Sequence, residues 1–332
     1  MTATSSTPAP IPCIPASYFG IVLGLAGLGS AWRAAHRVWS LPAVWGELLM
    51  LLATIIWVAL ILVYGVKWIL ARREALAEAE HPVQCCFVGL VGVSTSLVAQ
   101  AALPYSPATA ELLFVLGALI TLAFGLWRTG LLWRGERDPS ATTPVLYLPL
   151  VAGTFVTAIV AAALGLRDWG QLAFGAGLFS WLAIESVLLH RLYTAASLPP
   201  VLRPVLGIQL APPAVGAVAY LSVSDGAPDL VAHALLGYGL LQALILIRLL
   251  PWIMQQPFAP SYWAFTFGVT ALGTAPLRMV EHGERGAIAR LAPYLFIAAN
   301  VTVGLIAVGS LWLVARHLLT SQPTSSRSSS TA

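Results

Sequence analysis

Seven side chains able to carry charge fall inside long apolar runs: Glu47, Glu111, Arg128, Glu185, His190, His233 and Arg248. A charge in hydrocarbon is costly. Such groups therefore pair, reach back to the interface, or take part in moving ions and protons. Ion pairing between neighbouring helices or snorkelling accounts for Arg128, Glu185, His190 and Arg248. A proton-coupling role for Glu185 or His190 is the sharper alternative. Cys13, Cys85 and Cys86 give neither a disulfide framework nor a metal spacing and read as small apolar residues. "GLAGLG" and "GLGSAW" are glycine-rich, but no strand precedes them, so they do not read as phosphate loops. No catalytic triad, metal cluster or cofactor site is read, and the chain is not expected to be an enzyme. What remains is the chemistry of aromatic rings beside bare backbone. The stretch "SYWAFTFGVTALG" at 261–273 has four aromatics within six residues, then glycine, and no charge.

The elements that position these residues must be membrane helices. The chain has 332 residues, 58% of them hydrophobic and 9% charged, with a mean hydropathy of +0.84. A soluble domain carries about 25% charged residues and could not cover its surface with so few. The apolar runs are continuous for about twenty residues, which suits helices rather than the alternating strands of a barrel. The start, "MTATSSTPAPIPCIPAS", lacks the basic region of a cleaved signal. The net charge of +4 is spread along the loops and suits topology rather than nucleic acid.

Ten spans are expected, near 17–34, 43–69, 83–101, 108–133, 145–165, 169–191, 204–224, 228–250, 261–279 and 287–316. They form one channel domain at 17–318, between a short disordered N-terminus at 1–16 and a disordered tail at 319–332. "ARREALAEAEHP" and "RGERDPSATTP" read as loops. Basic residues set the orientation. Lys67, Arg72, Arg73, Arg128, Arg134, Arg137, Arg191, Arg203 and Arg248 follow even spans, and Arg316 and Arg327 end the chain. Arg33, Arg37, Arg167, Arg278, Arg285 and Arg290 follow odd spans. Eleven against six puts both termini in the cytoplasm, although the ninth loop holds three arginines.

Odd and even spans differ. Pro149, Pro212 and Pro213 fall inside odd spans, and Pro276 near the end of another. A mid-helix proline removes a backbone hydrogen bond and kinks the helix, and the freed carbonyl must then be satisfied by protein or a wet cavity. Kinked spans are thus expected inside and straight, Leu-rich ones against lipid. Acidic and basic residues keep out of the odd spans until their ends. Phenylalanine next to small residues recurs there, in "SYFGIVLG", "CCFVGLVG", "GTFVTA" and "FTFGVTALG", a weak repeat of about 60 residues. Five inner helices inside five outer ones would enclose a channel. Small residues would widen it, and a swinging ring would close it.

The stretches "PASYFGIVLGLAGLGSAW", "LVYGVKW", "FGAGLFSWLAIESVLL", "RPVLGIQLAPPAVGAVAYLS", "GYGLLQALILIRLLPWI" and "YWAFTFG" resemble the tellurite-resistance/C4-dicarboxylate transporter family. The likeness is strongest to its TehA-type bacterial branch, homologous to plant slow-type (guard-cell) anion channels, and runs from about Pro12 to Leu318. The resemblance implies a homotrimer with one pore per subunit, built from ten helices in five hairpins with odd helices inside. It implies a gate at Phe267 and pore positions at Gly20, Phe19, Phe87 and Phe155. The seventh span lacks the phenylalanine, and Val215 stands near that level. The expected function is passage of small monovalent anions across the bacterial inner (plasma) membrane. The alternative is a secondary transporter or exporter of C4-dicarboxylates, tellurite or toxic cations. The expected partners are the bilayer, small anions and further copies of the chain, with no nucleic acid.

Overall fold

The computed structural model describes residues 14–135, 138 and 141–320. Most of both expected tails, together with Cys13, Arg137 and Arg327, lies outside the described residues. Ile14 to Ala16, the end of the expected N-terminal tail, belong to the fold. Ala16 is buried, and its N–H donates to Glu78 Oε1 at 2.7 Å.

Among the described residues every regular element is helical. The α-helices are α1 (Phe19–Trp39), α2 (Ala43–Leu70), α3 (Arg72–Glu80), α4 (Cys85–Val88), α5 (Leu90–Ala102), α6 (Pro107–Leu132), α7 (Gly153–Ala163), α8 (Arg167–Thr194), α9 (Ala211–Val223), α10 (Leu230–Ile253), α11 (Thr266–Glu281) and α12 (Ala287–Thr320). Eight stretches are long and apolar enough to cross a membrane: Ala43–Leu70, Cys85–Ala102, Pro107–Leu132, Pro144–Ala163, Arg167–Thr194, Pro200–Val223, Leu230–Ile253 and Ala287–His317. The expected spans at 17–34 and 261–279 are helical but fall outside that set. α1 gives its last turns to Arg33, His36 and Arg37, and α11 has only 16 residues, three of them threonine.

The segment read as the loop "ARREALAEAEHP" instead contains α3. Ala75 and Ala79, four apart, form its buried face. Lys67 and Glu78 make a buried ion pair at 2.6 Å that fastens α3 to α2.

Burial divides the spans. Cys85–Ala102, Pro144–Ala163 and Pro200–Val223 are 72%, 72% and 83% buried, whereas Ala43–Leu70, Pro107–Leu132, Arg167–Thr194, Leu230–Ile253 and Ala287–His317 are 17–33% buried. Leu62, Leu126, Phe179, Ile247 and Leu305 stand out on the second group, each more than half exposed. So large an apolar surface is tenable only against lipid tails. The chain is a multi-pass membrane protein. Each of α1, α5, α7, α9 and α11 packs on the long helix that follows it. The same five also pack on one another in the cycle α1–α5–α7–α9–α11–α1.

Small residues allow these approaches. A Cβ on Gly92 of α5 would lie 2.8 Å from the carbonyl oxygen of Gly117 on α6, closer than any side chain tolerates. Several of the more buried helices start in tighter or wider winding than α. Ala16–Tyr18, Pro144–Tyr147, Pro200–Leu210 and Pro260–Phe265 are 3-10 helices, and Leu148–Ala152 is π. Proline supplies the reason, because it withholds an N–H and crowds the preceding turn. Pro149 lies in the π stretch. Pro212 and Pro213 occupy the first turn of α9, where N–H groups need no partner within the helix.

Candidate functional site

Two cavities lie within the cycle of packed helices, and they share two wall residues, Phe267 and Val215. The first has a volume of about 330 Å³ and no charged side chain in its wall. Gly20, Phe87, Phe155 and Val215 all line it, together with Tyr147 and Trp263. The second, about 340 Å³, is lined by Arg33, Arg37 and Arg278 and by no acidic residue.

The two phenylalanines of "FTF" point different ways. Phe265 packs under the 3-10 stretch, so a Cβ on Gly207 would meet its ring at 2.6 Å. Phe267 faces both cavities, and its Cδ2 lies 3.3 Å from where a Cβ on Gly27 would be. Phe19 is in neither wall. Its ring is 1% exposed and meets Tyr64 of α2 edge-on at 5.8 Å. Phe155 is fully buried, with one edge on the first cavity and its ring beside Phe174 of α8.

Threonine hydroxyls occupy backbone oxygens along these helices. Thr266 donates to the carbonyl of Trp263 at 2.8 Å, Thr270 to that of Phe267 at 3.0 Å, and Thr154 to that of Leu150 at 2.9 Å. Each bond occupies a carbonyl oxygen of the preceding turn and leaves the hydroxyl satisfied without a partner from another segment.

The arginines are held by carboxylates but outnumber them. Arg33 forks onto Glu47 at 2.9 and 2.7 Å and also reaches the carbonyls of Gln100 and Ala101 at the end of α5. Glu281 accepts from both Arg37 and Arg278 at 2.7 Å. Tyr105 donates to Glu47 at 2.8 Å, and that bond is the main reason its phenol titrates above the usual tyrosine range. Three guanidinium groups against two carboxylates leave this cavity net positive, a condition that draws anions.

Over residues 13–311 the sequence matches the family described as voltage-dependent anion channel. The chain belongs to that family. It is 36% identical over 304 residues to the tellurite resistance protein TehA homolog of Haemophilus influenzae, covering 91% of each chain. It is 25% identical to the S-type anion channel SLAH2 and 24% identical to the guard cell S-type anion channel SLAC1, both of Arabidopsis thaliana. Those alignments take in 87% and 80% of this chain but 57% and 50% of the plant ones.

The other charged residues singled out in this anion-channel relative scatter. Glu111, His190 and Arg248 are exposed on the long helices. Arg128 is half-buried, with a buried Nε that has no partner. His233 lies 3.2 Å from Glu284. Glu185 is buried, makes no ion pair and is the centre of a polar cluster. Trp181, Gln209, Tyr238 and Gln242 reach it at 2.9, 2.9, 2.6 and 3.3 Å, and the Tyr147 hydroxyl also donates to it. Sequence reading did not assemble this cluster, because its members come from four separate segments. The one available signal was a glutamine or tyrosine recurring in otherwise apolar runs.

Proposed function

We propose that the chain is a passive channel for small monovalent anions in the bacterial inner membrane, occluded by the Phe267 ring. On this reading α1, α11 and the three strongly buried spans are five pore helices, each paired with an outer helix. Ten spans then leave both termini in the cytoplasm. The uncharged cavity opens inward and the arginine cavity outward. The observation that carries this is the pair of cavities whose common wall is Phe267 with Val215. An apolar ring between two chambers is a dry constriction, which an ion crosses only by shedding water. Three copies, each with its own pore, belong to the same reading by the family resemblance, and a link to tellurite resistance by similarity to the bacterial relative.

The test is voltage-clamp current from the wild type and Phe267→Ala, in chloride and then nitrate. A large anion current in the variant and little in the wild type is expected. Equal currents in both would reduce Phe267 to a packing ring. A second reading, a proton-coupled carrier of C4-dicarboxylates or tellurite, draws support from Glu185 beside the uncharged cavity. It predicts saturable, pH-driven flux of those substrates and no channel current.

A further inference from the structure

We propose that the arginine cavity is a binding site for a tetrahedral divalent oxyanion, of the sulfate or hydrogen-phosphate class, which lodges between Arg37 and Arg278 and blocks monovalent anions from that side. The block rests on the channel reading above, whereas the site rests on the cavity wall itself.

Three neighbouring helices build that wall. Ser30, Arg33 and Arg37 come from α1, Gln100 from α5, and Thr274 and Arg278 from α11. The arginines differ in what they have left to give. A guanidinium carries five N–H donors. Arg33 directs Nε and Nη2 to Glu47, and Nη1 and Nη2 to the carbonyls of Gln100 and Ala101. It is a clamp on the end of α5, nearly saturated. Arg37 donates to Glu281 from Nε, and Arg278 from Nη1. The other N–H groups of both have no acceptor among the described residues. Glu281 is not in the wall, so it holds the two guanidinium groups from outside the cavity that they line.

Neutral donors stand beside them. Ser30 and Gln100 line the same cavity, and neither side chain makes a hydrogen bond among the described residues. The hydroxyls of Thr274 and Ser222, also in the wall, already donate to the carbonyls of Thr270 and Val218.

This set of donors suits an oxyanion better than a halide. A guanidinium fork matches two oxygens along one edge of an oxyanion, and forks from two helices match two edges of a tetrahedron. A halide is a single sphere with no edge to offer. Two cations facing one ion favour a charge of two. At about 340 Å³ the cavity holds such an ion together with several waters, each taking roughly 30 Å³.

The same ion cannot easily go further. Phe267 and Val215 separate it from the uncharged cavity, where no charged side chain lines the wall to replace its water. The cost of desolvation rises steeply with ionic charge, so a divalent ion held by the arginines stops there. A monovalent ion is held less tightly, gives up its water more readily and passes.

The test uses the full chain in the Phe267→Ala background, with nitrate current recorded at constant ionic strength while sodium sulfate is added to one side at a time. Sulfate should block in a saturable manner from the arginine side, the outer one, and not from the other. Arg37→Lys and Arg278→Lys keep the charge but lose the fork. Each should weaken the block by roughly tenfold, the worth of one charge-assisted hydrogen bond. Arg290→Gln, an exposed arginine outside the wall, should leave the block unchanged. Equal block from both sides, or block that survives both lysine variants, overturns the proposal. Isothermal titration of the wild-type protein with sodium sulfate reads the site without conduction. Saturable heat that chloride does not give at the same ionic strength, and that Arg37→Lys/Arg278→Lys loses, supports the site. No such heat overturns it. Absence of current in Phe267→Ala would count against the channel reading and leave the titration to decide the site.

Discussion

Phe265 and Phe267 are two residues apart and serve different ends. Phe265 fills the space over Gly207, while Phe267 is left with a cavity on either side. The position opposite is Gly27, whose absent Cβ leaves room for both the Thr270 hydroxyl and the Phe267 ring. Thr270 is fully buried, and its β-branched side chain has little rotamer freedom. Gly27→Ala should therefore destabilise the protein by about 1–3 kcal/mol through overpacking. The double variant Gly27→Ala/Thr270→Ala should recover most of that loss, because the Thr270 hydroxyl is the nearest obstacle. Thermal unfolding in detergent, run as a double-mutant cycle, measures the coupling. Additive losses would mean that the methyl added at Gly27 does not press on Thr270.

Among the elements, α10 shows how a helix on the outer face is fixed at its start. Asp229 caps it, accepting from the N–H groups of Val231 and Ala232 at 3.0 and 3.1 Å and from the Tyr220 hydroxyl. The Tyr220 bond, then the Ala232 N–H, hold its carboxyl below the usual range. Its stabilisation is therefore complete above the ordinary carboxylate value of about 3.9 and is lost as pH falls through the lower folded value. Asp229→Ala should cost about 1 kcal/mol near neutrality, and the two melting curves should converge in strong acid. A gap independent of pH would show that packing at the cap, not the charge, is responsible. The helices were the most legible part of the sequence, because a continuous apolar run of bilayer length has few other uses. The stretches expected at 43–69 and 108–133 are α2 (Ala43–Leu70) and α6 (Pro107–Leu132). α3 was missed because a nine-residue, highly charged helix differs from a loop only by two alanines four apart. The 3-10 and π starts were missed too. Proline signals a break in α winding but not which winding replaces it.

At the scale of the whole molecule, charge is sorted by place. One cavity has none, the other has an excess of arginine, and the exposed surface of the long helices is mostly apolar. A path of this kind offers an anion little to replace its water, so anions that give up water readily should pass best. In Phe267→Ala, iodide, nitrate and bromide should exceed chloride, as reversal potentials under bi-ionic conditions would report. The reverse order would point to a polar binding site within the constriction. Composition and the aromatic stretch were enough to suggest a membrane path, and the family resemblance pointed to Phe267. They could not bring Tyr147, Glu185, Gln209 and Tyr238 together, since that meeting depends on how four segments pack. The 3-10 stretch from Pro200 to Leu210 has a mechanical consequence. It runs for 11 residues in a winding seldom kept beyond one turn. At a rise of about 2.0 Å per residue against about 1.5 Å in an α-helix, rewinding the stretch as α would shorten it by about 5 Å. That is about one α-helical turn of contraction, held as in a drawn spring along the wall of the uncharged cavity.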